Sequence, residues 1–154
     1  LNSFAPQSGL RGLQGIAPTT ASDQRIETPA IAIPASGGAS SLVFWQRHDL
    51  EPRSAGGCYD GGFLEASVNG GAFTAVNAGV ANPAYDGALQ SGNPGAPQAA
   101  WCGTRDYVRT AVDLAPYAGQ SVRFRFRLTS DSSVNRPNGW MVDNVSVQQC
   151  VAAP

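Results

Sequence analysis

Hydrophobic and polar residues alternate most regularly over residues 121–128. Apolar and arginine side chains fall on opposite sides of this segment: Val122, Phe124, Phe126 and Leu128 against Arg123, Arg125 and Arg127. A strict period of two predicts a β-strand with one face in the core and the other in solvent. This segment is therefore the clearest predicted strand of the chain.

A central strand and a hairpin follow from similar patterns. Residues 41–48 are apolar on both sides before they turn polar, which is typical of a strand buried in the middle of a sheet. Asn69-Gly70 separates two β-prone runs, residues 63–69 and 72–76. This dipeptide favours a tight hairpin because both residues accept positive φ.

Two further strands are predicted near the ends of the chain. Residues 140–147 form the last one, after a turn at residues 135–139. Residues 26–33 are also strand-like, but Pro29 lacks the N–H that a central strand needs. We therefore expect residues 26–33 to lie at the edge of a sheet, or the strand to begin late in this segment.

Two segments show no regular spacing of apolar residues. Residues 1–25 are broken by proline and glycine and are predicted to be an irregular lead-in. Residues 77–105 form a long stretch of alanine, glycine, asparagine and proline, which we interpret as a loop. Loops of that length in compact domains are commonly functional or held by a cross-link.

The fold class follows from these strands and from the absence of a helical period. No window repeats apolar residues at the spacing of an amphipathic helix. Charged residues make up 14%, with 18 glycines and 11 prolines, as suits short strands and many turns. We predict a single all-β domain over residues 1–154: an antiparallel sandwich of Greek-key or jelly-roll type with little or no helix.

Charge and hydropathy exclude two classes of partner. The formal net charge is −1, so no overall positive field attracts nucleic acid. No run of eighteen apolar residues is present, so we expect no membrane insertion. The first residues lack the charged and apolar regions of a signal peptide. We interpret the chain as a piece excised from a larger secreted protein.

The three cysteines predict one disulfide. Cys58 and Cys102 lie in turn-rich segments where a bridge is geometrically easy. That bridge closes a loop of about 45 residues and contributes about 3–4 kcal/mol in the chain-entropy model. Cys150 is then left over, either free or paired outside the chain. The alternative is three reduced structural thiols.

Several short motifs occur in an order that resembles one kind of accessory module. They are Phe44-Trp45-Gln46-Arg47-His48-Asp49-Leu50-Glu51, Tyr59-Asp60-Gly61-Gly62, Tyr117-Ala118-Gly119-Gln120 and Gly139-Trp140-Met141-Val142-Asp143-Asn144-Val145. Together they resemble the MAM-like, immune-inhibitor-A-type β-sandwich domains appended to secreted bacterial metallopeptidases. The resemblance covers roughly residues 22–148. It implies a jelly-roll-like sandwich that accompanies a catalytic domain lying elsewhere. We expect the domain to be extracellular and monomeric.

Acidic residues carry the candidate metal chemistry. Asp143 shares an alternation face with Val145, so its carboxylate is expected at the core edge, where it needs a partner. Ca²⁺ prefers oxygen ligands from loops rich in Asp, Gly and Asn, and related jelly-roll modules carry a structural cation. The candidate ligands are Glu51, Asp60 and Asp143, with Asp23 or Asp49 as outer members. The alternative is a tight turn at Asp60 and ion pairing of Glu51 with Arg47 or Arg53.

Two candidate ligand-binding features remain. The arginine ladder, with Arg125 at its centre, either binds an anionic group or pairs with acids on neighbouring strands. Trp101, with Tyr85 near it in sequence, is the candidate for contact with a protein or polysaccharide ligand. Trp45 and Trp140 are expected in the core.

Nothing in the sequence selects a catalytic site. His48 is the only histidine, so a His-Glu-x-x-His zinc motif is absent, and so is a G-x-S-x-G nucleophile elbow. We expect His48 to be structural, bonded to a loop carbonyl at a strand end. The favoured function is a non-catalytic accessory domain attached to a secreted enzyme, with a metallopeptidase expected. The alternative is a carbohydrate-binding or adhesive module that uses residues 77–105, and a free-standing enzyme is the weakest hypothesis.

Overall fold

The computed structural model describes residues 5–76 and 81–150. Over these residues the regular structure is β, apart from a 3-10 turn at Ala115–Tyr117. The strands are β1 Leu13–Ala17, β2 Ser22–Glu27, β3 Ile31–Ala32, β4 Ser40–Leu50, β5 Gly61–Val68, β6 Phe73–Ala75, β7 Ala81–Asn82, β8 Gly87–Ala88, β9 Ala99–Ala100, β10 Gly103–Asp113, β11 Ser121–Ser130 and β12 Arg136–Gln149. The described residues form no helix with the length and hydropathy that a membrane crossing requires.

Two antiparallel sheets pack face to face, which confirms the predicted all-β sandwich. The first sheet has the order β1-β12-β4-β10-β7, and the second has the order β2-β11-β5-β6. Strand β3 also pairs with β11, on the same side as β2, and β8 with β9 makes a small separate ribbon. Strand β4 has neighbours on both sides, as its apolar pattern predicts.

Aromatic rings from both sheets meet in the core. Phe44 of β4 lies 5.1 Å from Phe126 of β11 between ring centroids, with the rings edge to face. Trp140 of β12 lies 6.0 Å from both Phe126 and Trp101. Such pairs contribute about 0.5–1.5 kcal/mol each beyond their buried area. The cluster joins the two sheets across the sandwich.

A buried glutamine fixes the register of the first sheet. The Gln46 amide donates to Thr110 Oγ1 of β10 at 2.8 Å and accepts from Trp140 Nε1 of β12 at 2.9 Å. A one-residue slip would turn these polar groups to the wrong face and leave them without partners. The side chain therefore selects one alignment of three neighbouring strands.

The predicted hairpin and the amphipathic strand are confirmed. Asn69 and Gly70 have φ of 50° and 79°, and they join β5 to β6. In β11 the apolar residues are buried and the arginines are half-buried. Residues 26–33 divide into parts of β2 and β3, both on the edge side of β11, as Pro29 predicts.

Two predictions of irregular structure were wrong. The segment of residues 1–25 contains β1 and the start of β2, although residues 1–4 lie outside the described part. Strand β2 was not predicted because an edge strand of mostly polar residues shows no regular spacing of apolar residues. The turn expected at residues 135–139 falls largely within β12, where Gly139 has φ of 56° and lies against the backbone of β1.

The expected loop at residues 77–105 is also more ordered than predicted. It contains β7, β8 and β9 and runs into β10, while residues 77–80 lie outside the described residues. Strand β10 was not predicted because its register shifts between Arg105 and Val108, which breaks the period of two.

Candidate cation site at one end of the sandwich

Three strand ends bring three carboxylates together. Glu51 follows β4, Asp60 precedes β5, and Asp131 follows β11. Because β5 and β11 are antiparallel neighbours, with Gly61 opposite Thr129, Asp60 and Asp131 emerge at the same end of the second sheet. One carboxylate oxygen from each residue lies within 4.8 Å of the others. We call Glu51, Asp60 and Asp131 the carboxylate cluster.

A short hairpin carries Glu51 across to the second sheet. The Glu51 carbonyl oxygen accepts from the backbone N–H groups of Tyr59 and Asp60, at 3.0 and 3.1 Å. Arg53 N donates to Gly57 O at 3.0 Å and closes the turn between them. The residue after β4 is thereby held beside the residue before β5.

The Asp60 carboxylate is the most unusual member of the cluster. The residue is 1% exposed. Its Oδ1 accepts from Asp131 N at 3.0 Å, but its buried Oδ2 has no hydrogen-bond partner among the described residues. Burial above all, and then the negative charges of Asp131 and Glu51, raise the pKa of Asp60 to about 6. A buried acceptor oxygen of this kind is costly unless something binds it.

Ser133 bridges the other two carboxylates incompletely. Its Oγ lies 2.7 Å from Asp131 Oδ1 and 3.0 Å from Glu51 Oε2, and its N–H donates to Asp131 Oδ1 at 2.9 Å. A hydroxyl has one hydrogen, so Ser133 donates to only one of these carboxylates at a time. The remaining lone pairs stay available for a ligand.

The cluster lacks the arginine partners that most acids of this chain have. All eleven acidic residues fall within the described ranges, and six lie within 4.0 Å of an arginine nitrogen: Asp23, Glu27, Asp49, Glu65, Asp86 and Asp106. Among the remainder, Asp113 accepts from Ala115 N and Asp143 accepts from Ser8 N. Three negatively charged oxygen ligands without a cation nearby have the chemistry that a hard divalent ion prefers.

The structure brings together Glu51 and Asp60 as predicted, but the other candidate metal ligands lie elsewhere. Asp49 pairs with Arg136 at 3.2 Å, and Asp23 pairs with Arg127 at 2.9 Å on the second sheet. These two placements leave Asp49 and Asp23 outside the cluster, so both assignments were wrong. Their arginines already neutralise their charge.

Asp143 lies on the outer face of the first sheet, so its assignment was wrong too. A bulge between Asp143 and Ser146, with Asn144 at φ of 52°, shifts the alternation by one residue. Val145 therefore packs on the core while Asp143 points the other way and accepts from Ser8 N at 3.1 Å.

Asp131 is the member of the carboxylate cluster that sequence reasoning missed. It directly follows the strongest predicted strand, but a position after a strand has no special meaning by itself. Its relevance depends on the pairing of β11 with β5, which sets Asp131 beside Asp60. Knowledge of that pairing is the signal that would have identified it.

The predicted aromatic contact surface is part of the core. Trp101 is 0% exposed, and its Nε1 donates to Pro83 O at 3.1 Å. Tyr85 packs 4.4 Å from Trp101, its hydroxyl accepts from Leu64 N, and burial raises its pKa to about 12. The prediction that these rings contact a ligand was wrong, which removes the stacking residue of the carbohydrate-binding alternative. Trp140 is in the core as predicted, whereas Trp45 is half-buried outside it.

The arginine ladder pairs with acids, as one of the two interpretations predicts. Arg125 lies 2.6 Å from Glu65 and 3.7 Å from Glu27, and its guanidinium carbon is 4.0 Å from the centroid of the Phe73 ring. Its side chain is only 14% exposed. The prediction of Arg125 as a ligand-binding residue was therefore wrong.

The predictions for the cysteines and for His48 are confirmed. Cys58 and Cys102 form a disulfide with an S–S distance of 2.06 Å, and Cys150 is an exposed free cysteine. His48 is buried, and its Nδ1 lies 3.0 Å from the Gly103 carbonyl oxygen at the strand end. Burial lowers the pKa of His48, so the ring is neutral at pH 7.

A comparison with known protein families finds no matching family model, and a comparison with curated proteins finds none of significant similarity.

Proposed function

We propose that this chain is a non-catalytic, extracellular accessory domain that binds a structural Ca²⁺ through Glu51, Asp60 and Asp131. The observation that carries the proposal is the buried Asp60 Oδ2, which has no hydrogen-bond partner among the described residues and belongs to a carboxylate clustered with two others. A divalent cation between them replaces repulsion by attraction.

The position of the cluster supports a structural role for the cation. Glu51 follows a strand of the first sheet, whereas Asp60 and Asp131 adjoin strands of the second. An ion bound by all three links the two sheets at one end of the sandwich. Calcium takes six to eight oxygens, and the partly exposed Glu51 and Asp131 leave room for water to complete its shell.

The proposed extracellular setting rests on the disulfide and on the family resemblance. Disulfides persist in oxidising compartments and are rare in the cytosol. The resemblance to MAM-like modules supports attachment to a secreted catalytic domain, with a metallopeptidase as the proposed partner. The reading frame that encodes this chain tests the attachment: a zinc-peptidase motif in the same protein supports it, and its absence from the complete frame contradicts it.

Thermal unfolding with and without calcium tests the cation site. We expect saturating Ca²⁺ to raise the Tm of chelator-treated protein by about 5–10 °C, since occupancy at a hundred times Kd contributes about 2.7 kcal/mol. Asp60→Asn should abolish the shift, whereas the matched control Asp143→Asn should keep it. A wild-type Tm that is the same in calcium and in chelator would contradict the proposal.

A further inference from the structure

We infer that the Cys58–Cys102 disulfide and the carboxylate cluster are thermodynamically coupled. The disulfide strengthens cation binding, and the bound cation makes the disulfide harder to reduce. This inference rests on the proposed calcium site and adds regulation of that site by thiol–disulfide exchange.

One short hairpin contains two of the three carboxylates and one of the two cysteines. Glu51 and Asp60 stand at its ends, and Pro52 forms a β-bridge with Cys58 inside it. Cys58 is two residues from Asp60, and the Tyr59 N–H between them donates to the Glu51 carbonyl oxygen. A displacement of Cys58 therefore moves Asp60 and Glu51 as well.

The disulfide ties this hairpin to a distant part of the fold. Cys102 lies between β9 and β10, 44 positions along the chain from Cys58, and its N–H donates to Asp86 Oδ2 at 3.0 Å. The backbone of Cys58 also bonds to Ala88 and Gln90 at 3.0 Å each. The covalent bond is thus the strongest of the restraints that hold the hairpin against the sandwich.

Repulsion within the cluster works against these restraints when no cation is bound. Asp60 Oδ2 is buried without a hydrogen-bond partner in the described residues, next to the charges of Glu51 and Asp131. Movement of the hairpin toward solvent hydrates Asp60 and separates the three charges. The disulfide opposes this movement, so its reduction increases the population of the open hairpin.

Because the hairpin opens, disulfide reduction and calcium binding each affect the other. A cation binds the closed hairpin, so its apparent affinity falls with the closed fraction. By linkage, the factor by which reduction weakens calcium binding equals the factor by which calcium opposes reduction. Allosteric couplings commonly amount to about 5- to 150-fold, and we expect a factor of about tenfold here.

The first measurement compares calcium affinity with and without the disulfide. Isothermal titration with Ca²⁺ is performed on the oxidised chain and on Cys58→Ser/Cys102→Ser, both in a Cys150→Ser background that leaves a single cysteine pair. We expect Kd to be about tenfold higher in the variant that lacks the disulfide. Equal Kd values would overturn the coupling and leave the proposed calcium site standing. Failure of the oxidised chain to bind calcium would overturn both.

The second measurement uses the native oxidised chain and does not depend on the stability of the variant. Reduced dithiothreitol breaks the protein S–S bond by supplying two electrons and two protons, and its own two sulfurs close into a cyclic disulfide. We expect calcium to slow this reduction relative to chelator, with weak dependence on urea because only the hairpin opens. In Glu51→Gln/Asp60→Asn calcium should have no effect on the rate. Strong urea dependence, as in global unfolding, or equal rates with and without calcium in the native chain would overturn the inference.

Discussion

Carboxylates at two places in this sandwich have opposite electrostatic surroundings. On the outer face of the second sheet, Glu65 is 8% exposed and lies 2.6 Å from Arg125 and 2.9 Å from Arg127. At the end of the sandwich, Asp60 is also buried, but it has two carboxylates as neighbours and, among the described residues, no arginine nitrogen within 4.0 Å. The first place uses arginine to neutralise buried charge, and the second is the place where we propose that a cation does so.

The pKa shifts express the same difference. Hydrogen bonds from Arg25 and Arg127 hold the pKa of Asp23 well below its usual range, even though burial opposes them. Burial and two like charges instead raise the pKa of Asp60. These opposite shifts distinguish Asp23, which stabilises the fold as an ion, from Asp60, which stabilises it when protonated. A strongly perturbed group in such surroundings is a candidate for function.

The largest expected effect comes from breaking the arginine pairs. Glu65→Gln leaves Arg125 and Arg127 with less compensating charge in a poorly hydrated place, and we expect the free energy of unfolding to fall by about 3 kcal/mol in urea denaturation. The matched control is Glu27→Gln, where the side chain is 37% exposed and the expected loss is below about 1 kcal/mol. Equal losses in the two variants would mean that burial does not determine how much each carboxylate contributes to stability.

The next largest effect is the pH dependence of the calcium-free protein. The pKa of Asp60 rises from 3.8 when unfolded to about 6 when folded, so its stabilising contribution is complete below pH 3.8 and is lost as pH rises through 6. We expect wild type to lose about 2–3 kcal/mol relative to Asp60→Asn between pH 4 and pH 7 in chelator. Urea denaturation of both proteins across this range measures the difference. A constant difference would contradict the assignment.

Asp60→Asn is expected to change the free energy of unfolding less than Glu65→Gln does, and to raise it instead of lowering it. At pH 7 in chelator, loss of the charge should raise the free energy of unfolding by about 1 kcal/mol, because an amide is less costly to bury than a carboxylate. Asp143→Asn serves as the control, since that carboxylate already accepts a backbone N–H and gains nothing by neutralisation. Destabilisation by Asp60→Asn would indicate that the carboxylate is satisfied without a cation.

Strands with one apolar face could be predicted from the sequence, and strands without one could not. The period of two in β11 and the Asn69-Gly70 turn depend on local chemistry, so both were identified correctly. Strand β2 is mostly polar at a sheet edge, and β10 contains a register shift, so neither shows a regular apolar period. The bulge at Asn144 likewise reversed the expected face of Asp143.

Two of the three residues of the carboxylate cluster could be predicted from the sequence, and the third could not. Glu51 and Asp60 lie close in sequence around one turn, and local reasoning brought them together. Asp131 is about seventy residues further along and joins them only through the pairing of β5 with β11. Burial of Trp101 depends equally on long-range packing against Phe44 and Trp140. Contacts between distant segments are what an amino-acid pattern alone does not contain.

A crystal grown in calcium, with data collected for anomalous scattering, shows whether the carboxylate cluster binds an ion. We expect one ion peak with oxygen atoms of Glu51, Asp60 and Asp131 at the usual calcium distances of about 2.3–2.6 Å. The peak should vanish in Asp60→Asn and persist in Asp143→Asn. Well-ordered carboxylates at Glu51, Asp60 and Asp131 with no peak between them would contradict the proposed site.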